Sequence, residues 1–170
     1  MTQSTRVLVV DDEPQICHNC LKILTKDKYH VQCAYNGQDA LALFSEAPYD
    51  VVVTDLKMNR LGGMELLRRV KSMAPDTMVI VITGYSTVSS AVEVMKLGAF
   101  DYLPKPFTSS ELTAVLEKAI EKRDRILKNR QRDKSETVSE GFSGIIGKGP
   151  TQYTKKVLVR KSFTPFSTHQ

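Results

Sequence analysis

No apolar run in this 170-residue sequence approaches the roughly 20 residues that a membrane helix needs. That absence argues against a membrane-spanning protein. Met1 to Arg6 has no apolar stretch between a basic start and a cleavage site, so no signal peptide is visible and a cytoplasmic protein is expected. Cysteine is scarce: three residues, an odd number, in a chain without a signal, which predicts reduced thiols. Cys17 and Cys20 form a C-x-x-C, but the surrounding pattern is helical, with Ile16, Cys20, Ile23 and Leu24 on one face. A redox dithiol normally opens a helix, and zinc takes about four ligands. His18 lies on a different face, and His30 and Cys33 stand apart in the sequence, so neither chemistry is expected here.

The length suits one domain with a real core and something smaller beside it. The net charge of +5 is uneven: −1 over residues 1–107 and +6 over residues 108–170. The basic character therefore belongs to the last third, as an acidic or nucleic-acid partner surface or simply as a solvated face.

Short apolar runs alternate with helical spacings along the first two thirds. Strands are predicted at Arg6–Val10, Tyr29–Ala34, the Val51-Val52-Val53-Thr54 run, Met78–Ile82 and Phe100–Leu103. Helices are predicted from Pro14 to about Lys26, over Gln38–Glu46, from Met64 to Lys71, over Ser86–Leu97 and from Ser109 onward. The pattern predicts parallel strands joined by right-handed crossovers, with five helices on the two faces. A flavodoxin-like doubly wound α/β sheet of order 2-1-3-4-5 fits it, with the last helix extended into a linker.

Four strand ends then carry polar groups: Asp11 and Asp12, Asp55, Thr83, and Lys105. In a parallel sheet these ends share one edge, where ligands bind. Three close carboxylates repel one another and need a cation, and hard oxygen ligands with room for water suit Mg²⁺. A cation and the Lys105 ammonium would let Asp55 attack phosphorus and would neutralise the phosphoryl oxygens, one of which could take a hydrogen bond from Thr83. Each residue also has a blander reading: Asp11 and Asp12 as helix caps, Asp55 as a turn cap, Thr83 as a strand end, Lys105 as a surface lysine. All four arising by accident on consecutive strand ends is not a reasonable expectation.

The segments Val9-Val10-Asp11-Asp12-Glu13, Val53-Thr54-Asp55-Leu56-Lys57-Met58, Ile82-Thr83-Gly84 and Asp101-Tyr102-Leu103-Pro104-Lys105-Pro106-Phe107 together resemble the receiver domain of two-component response regulators, over about residues 5–122. The resemblance implies that Asp55 accepts phosphate from a sensor histidine kinase. It implies Mg²⁺ ligation by Asp12, Asp55 and the backbone carbonyl of Lys57, with Asp11 acting mainly through water. Thr83 and Tyr102 would be the switch pair, the ring moving inward as Thr83 turns to the phosphate, and the Lys105–Pro106 bond would be cis. The chain departs from the family after Met58, where Asn59-Arg60-Leu61-Gly62-Gly63 replaces a Pro-Gly and a later Asp-Gly. The site is expected to survive with a more mobile loop. Lys57 and Tyr85, two places after Asp55 and Thr83, flank the attacking water in the family, so slow self-dephosphorylation is expected.

Val94 to Tyr102 is typical of receivers from sigma-54-dependent activators of the nitrogen-regulatory type. Phe142 to Pro150 resembles the lead-in to their ATPase domain, although it fails the pattern G-x-x-x-x-G-K-[ST] at Phe142 and Gly149. Thr151 to Gln170 holds no Walker A motif, no acidic Mg²⁺ motif and no DNA-binding helix pair. The expected organisation is a receiver over 1–122, a helical then disordered linker over 123–141, and a lead-in remnant with a basic tail over 142–170 that is not an independent domain. DNA would be reached only through domains absent here. Leu112, Leu116, Ala119, Arg123, Ile126 and Arg130 form a heptad-like seam, read as a coiled-coil linker to about Arg132 or as a plain solvated helix, with Lys134–Glu140 disordered.

The resulting expectation is a transcription-regulating phosphorylation switch, a phosphoacceptor regulatory domain rather than an enzyme, that changes its self-association as a homodimer. Two other classes compete. A phosphatase with an aspartyl-phosphate intermediate carries its nucleophile on the first strand as D-x-D, whereas Asp55 is on the third. A phosphorylation-independent interaction module would not need all the acids.

Overall fold

The computed structural model describes residues 4–27, 29–84 and 86–143, with side chains described as far as residue 135. The chain divides into two units, Met1–Lys134 and Ser135–Gln170, and the sheet with its packed helices belongs to the first. The elements are β1 (Arg6–Val10), α1 (Pro14–Lys26), β2 (His30–Ala34), α2 (Gly37–Glu46), β3 (Val51–Thr54), α3 (Gly63–Met73), β4 (Met78–Thr83), α4 (Val88–Lys96), β5 (Asp101–Pro104) and α5 (Ser109–Ser143).

The sheet order is β2-β1-β3-β4-β5, as expected from the sequence, and every ladder is parallel. Side chains alternate across a strand, so each run feeds two cores. Val7, Val9, Val51, Val53, Ile80 and Ile82 face one cluster, closed by Cys20 and Leu24 of α1 and by Leu112 and Leu116 of α5. Leu8, Val10, Val52, Val79 and Val81 face the other, closed by Phe44 of α2, by Leu66, Leu67 and Val70 of α3, and by Val94 of α4. β1 and β3 are neighbours although β2 lies between them in sequence. Their carboxyl ends therefore meet where the chain reverses direction across the sheet.

Local chemistry sets the ends. Pro14 opens α1, where its missing N–H costs nothing. The Asn36 side chain accepts the Asp39 N–H at 2.8 Å. A reciprocal Thr87–Ser90 capping box starts α4 at Val88, two residues later than its periodicity suggests. Gly98 takes φ +99 after α4, as its capping role requires. β5 is displaced by one residue from the expected Phe100–Leu103.

The last helix corrects the sequence reading twice. Its backbone stays helical to Ser143, so 134–140 is not irregular. No proline or glycine interrupts residues 109–140, and extending a formed helix avoids the cost of nucleation. The heptad-like seam also faces this domain's own body. Leu112, Leu116 and Ala119 are fully buried, and Ile126 packs on the same core. Arg123 pairs with Asp50 at 2.7 Å, and Arg130 pairs with Asp76. Lys122 Nζ lies 5.5 Å from the centre of the Phe100 ring. As far as Arg130, the helix is therefore neither fully solvated nor a seam open to a second chain. Tyr85, Gly144 to Pro150 and the basic tail to Gln170 lie outside the described residues.

Candidate functional site

The ends of β1 and β3 bring the carboxylates together. Asp11 is fully buried and Asp55 nearly so, while Asp12 is solvent-accessible. Each offers an oxygen within 4.8 Å of the others. Asp55 is fixed by its own N–H, which donates to Val10 O of the neighbouring strand at 3.0 Å. Asp11 Oδ1 accepts the Glu13 N–H at 2.9 Å. That oxygen holds the turn ahead of α1, which no side chain caps, and Oδ2 is left for the site.

Lys105 comes from the far edge of the sheet. Its backbone N–H donates to Thr83 O at 3.0 Å, tying the β5–α5 connection to the end of β4. The Lys105–Pro106 bond is cis, as expected. Nζ lies 2.7 Å from Asp11 Oδ2, 3.1 Å from Asp55 Oδ2 and 3.4 Å from Glu13 Oε1. Burial pulls the Lys105 pKa down, but hydrogen bonds and charge from Asp11 and Asp55 outweigh it and raise the pKa above its ordinary value. Burial pushes the Asp11 carboxyl up, and the Lys105 ammonium only partly offsets that. The ammonium is the internal counter-charge of the cluster. Three oxygen-bearing acids at this spacing could hold a hard divalent cation.

A pocket of about 580 Å³ opens over the cluster, lined by Asp12, Glu13, Asp55, Leu56, Lys57, Met58 and Asn59. The Lys57 N–H reaches Asp55 Oδ1 only at 3.4 Å. Thr83 is fully buried at the end of β4. Tyr102, one strand over, packs on the α2–α3–α4 side, and its hydroxyl is buried without a hydrogen-bond partner among the described residues. Glu13 received no role from the sequence, yet its position in the acidic run was the available signal, since it too reaches Lys105.

The loop after Asp55 keeps close contact with the site despite its unusual residues. Arg60 takes φ +69, a left-handed conformation that a side chain disfavours. At Gly63 a Cβ would stand 1.9 Å from Asp55 O, so only glycine fits.

Cys17 and Cys20 are both buried in the core, and burial pushes Cys20 up to about 12. This agrees with the structural reading of the C-x-x-C.

The model of the response regulator receiver domain matches residues 7–117. The chain belongs to that family. The receiver is 36% identical over 121 residues to the regulatory protein AtoC of Escherichia coli K12, covering 71% of this chain and 26% of AtoC. Among solved structures it resembles a receiver domain protein from Clostridium thermocellum, with 37% identity, a TM-score of 0.68 and coverage of 72% of this chain and 98% of that one. It also resembles the beryllofluoride-activated NtrC4 receiver domain dimer, with 36% identity, a TM-score of 0.67 and coverage of 69% and 98%. The relatives are regulators of the NtrC and AtoC type, among them the DNA-binding transcriptional regulator NtrC of Proteus hauseri, 33% identical over 167 residues. The chain spans between 26% and 34% of the length of such relatives. Receivers are regulatory phosphoacceptor domains, not a family of enzymes, which removes the phosphatase reading. No helix among the described residues is long and apolar enough to cross a membrane.

Proposed function

We propose that this receiver is a phosphorylation-dependent switch in which Asp55 is the acceptor. The observation that carries this reading is the Lys105 ammonium seated between the Asp55 and Asp11 carboxylates at the carboxyl edge of the sheet. A carboxylate oxygen of Asp55 attacks the phosphorus of a phosphohistidine on a sensor kinase. The O–P bond forms, the N–P bond breaks, and the imidazole nitrogen keeps the electron pair. Lys105 then pairs with a phosphoryl oxygen, and Thr83 donates its hydroxyl to another. Mg²⁺ held by Asp12, Asp55 and the Lys57 carbonyl, with Asp11 acting through water, would supply neutralisation of the transferring group. An apolar groove of about 620 Å³ between α1 and the β5–α5 connection begins at Lys105 and offers the kinase a surface beside the acceptor.

The output is a change of packing around Thr83 and Tyr102, read on the face of α4, β5 and α5. That face exposes Val88, Val92 and Met95 of α4, at 85%, 47% and 45%. Such a row of apolar side chains suits a second copy of this chain. To carry the switch from 1:99 to 99:1 the phosphoryl group must favour the active state by about 5.5 kcal/mol. Residues 1–122 are the receiver in this reading, 123–141 the linker, and 142–170 a lead-in remnant with a basic tail. The regulated process is transcription in the cytoplasm, through domains beyond this chain.

Sedimentation velocity with Mg²⁺, with and without beryllium fluoride, tests the output. A shift in association for the wild type that is absent in Asp55→Asn is expected; identical sedimentation in all four samples contradicts it.

A further inference from the structure

Next to the Asp11 backbone lie two sulfurs that the sequence keeps 16 residues apart. Cys17 sits in the first turns of α1 and Cys33 near the end of β2, and backbone contacts hold the two side by side. Each sulfur reaches backbone on or beside its partner. Cys33 Sγ lies 3.6 Å from Cys17 O, and Cys17 Sγ lies 3.7 Å from Ala34 O. The Cys17 thiol also donates to Asp11 O at 3.4 Å, and the Asp11 N–H donates to Ala34 O at 3.2 Å. The pair is thus woven into the backbone that carries a carboxylate of the site. The C-x-x-C spacing points to a different pair, Cys17 and Cys20. Yet Cys20 is fully buried, and no hydrogen bond joins it to either sulfur among the described residues.

We propose that Cys17 and Cys33 form a reversible intramolecular disulfide on exposure to a hydroperoxide, and that this bond links thiol oxidation to the Asp11 end of the site. The second half of this inference rests on the phosphoacceptor reading; the first does not. Cys33 is the entry point for the oxidant because it is only partly buried, whereas Cys17 is 1% exposed. The Cys33 sulfur attacks the terminal oxygen of the hydroperoxide. The O–O bond breaks, the alcohol leaves with the thiol proton, and Cys33 becomes a sulfenic acid. The Cys17 sulfur then attacks Cys33. The S–O bond breaks, and hydroxide leaves as water with the Cys17 proton. The two thiols lose two electrons, which the hydroperoxide gains. The new bond removes the Cys17 thiol hydrogen from Asp11 O and fastens α1 to β2.

The test uses the full chain treated with hydrogen peroxide, alkylated after denaturation, and weighed intact with peptide mapping. The expected product has lost about 2 Da, carries one alkyl group at Cys20, and returns to three alkylated thiols after dithiothreitol. Cys20→Ser should still form the bond, and Cys17→Ser and Cys33→Ser should not. No disulfide, or one through Cys20, overturns the proposal. The second readout is labelling by acetyl phosphate with Mg²⁺, where the oxidised chain should label about threefold or more slowly than the reduced one. Equal rates overturn the link to Asp11. If the reduced chain does not label at all, the phosphoacceptor reading fails, while the mass result still decides the disulfide.

Discussion

Arg123 of α5 grips Asp50 just before β3. Its Nη2 lies 2.7 Å from Asp50 Oδ1, while Asp50 Oδ2 accepts the Arg6 N–H at 2.8 Å. One carboxylate thus ties the helix that leaves the domain to the starts of two strands. Both side chains are about a quarter exposed, at 25% and 24%, and Asp50→Ala leaves an N–H and a guanidinium with less satisfaction. Urea denaturation should show a loss of about 1–3 kcal/mol. Arg130→Ala should cost under about 1 kcal/mol because Arg130 is 56% exposed. It should instead speed proteolysis near the end of the docked segment; unchanged cleavage would count against the clamp.

The distances around Lys105 set up a second prediction. Lys105→Met removes the counter-charge of three carboxylates, so the variant should lose about 1–3 kcal/mol without divalent cation. Added Mg²⁺ should raise its melting temperature more than that of the wild type, since a bound cation stabilises the folded state by mass action. Equal shifts would mean that the acids do not share a cation.

Acid titration of stability should isolate Asp11. Burial raises its folded pKa above the unfolded value near 3.8, with Lys105 only partly opposing. The folded state therefore holds this proton more tightly. Asp11 contributes stability that is full below the unfolded pKa and lost as pH rises through the raised folded pKa. Asp11→Asn should remove that decline, which sets in as pH rises past the unfolded value near 3.8. A wild-type decline that persists in the variant assigns it elsewhere.

The loop after Asp55 gives opposite outcomes for two substitutions. Arg60→Gly relieves a left-handed arginine and should stabilise by about 0.5–1 kcal/mol. Gly63→Ala forces a methyl group into Asp55 O and should destabilise by about 3 kcal/mol or more. Chemical denaturation of both variants checks the pair. A tolerated Gly63→Ala would mean that the loop does not press on the acceptor strand.

What the sequence made legible follows physical lines. Val7 to Val10 and Val51 to Val53 are apolar on both faces, so buried parallel strands were readable, and with them the sheet order. Asp11, Asp12, Asp55 and Lys105 were readable as a group because strand ends in such a sheet share an edge, and the structure brings them together. The partners of Arg123 and Arg130 were not. A four-and-three spacing reads alike for a coiled-coil seam and for a helix docked on its own domain, and Asp50 and Asp76 lie far back along the chain. The closeness of Cys33 to Cys17 depends on how β2 sets beside α1, which no local spacing encodes. The helix beyond Arg132 was hidden by its polar composition, because propagation from a formed helix needs no apolar face.

Intact-mass spectrometry after incubation with acetyl phosphate, with and without Mg²⁺, tests Asp55 as the acceptor most directly. The account predicts one added phosphoryl group in the wild type, dependent on Mg²⁺ and absent in Asp55→Asn. A folded wild-type chain that gains no phosphoryl group, or an Asp55→Asn chain that gains the same one, would contradict it.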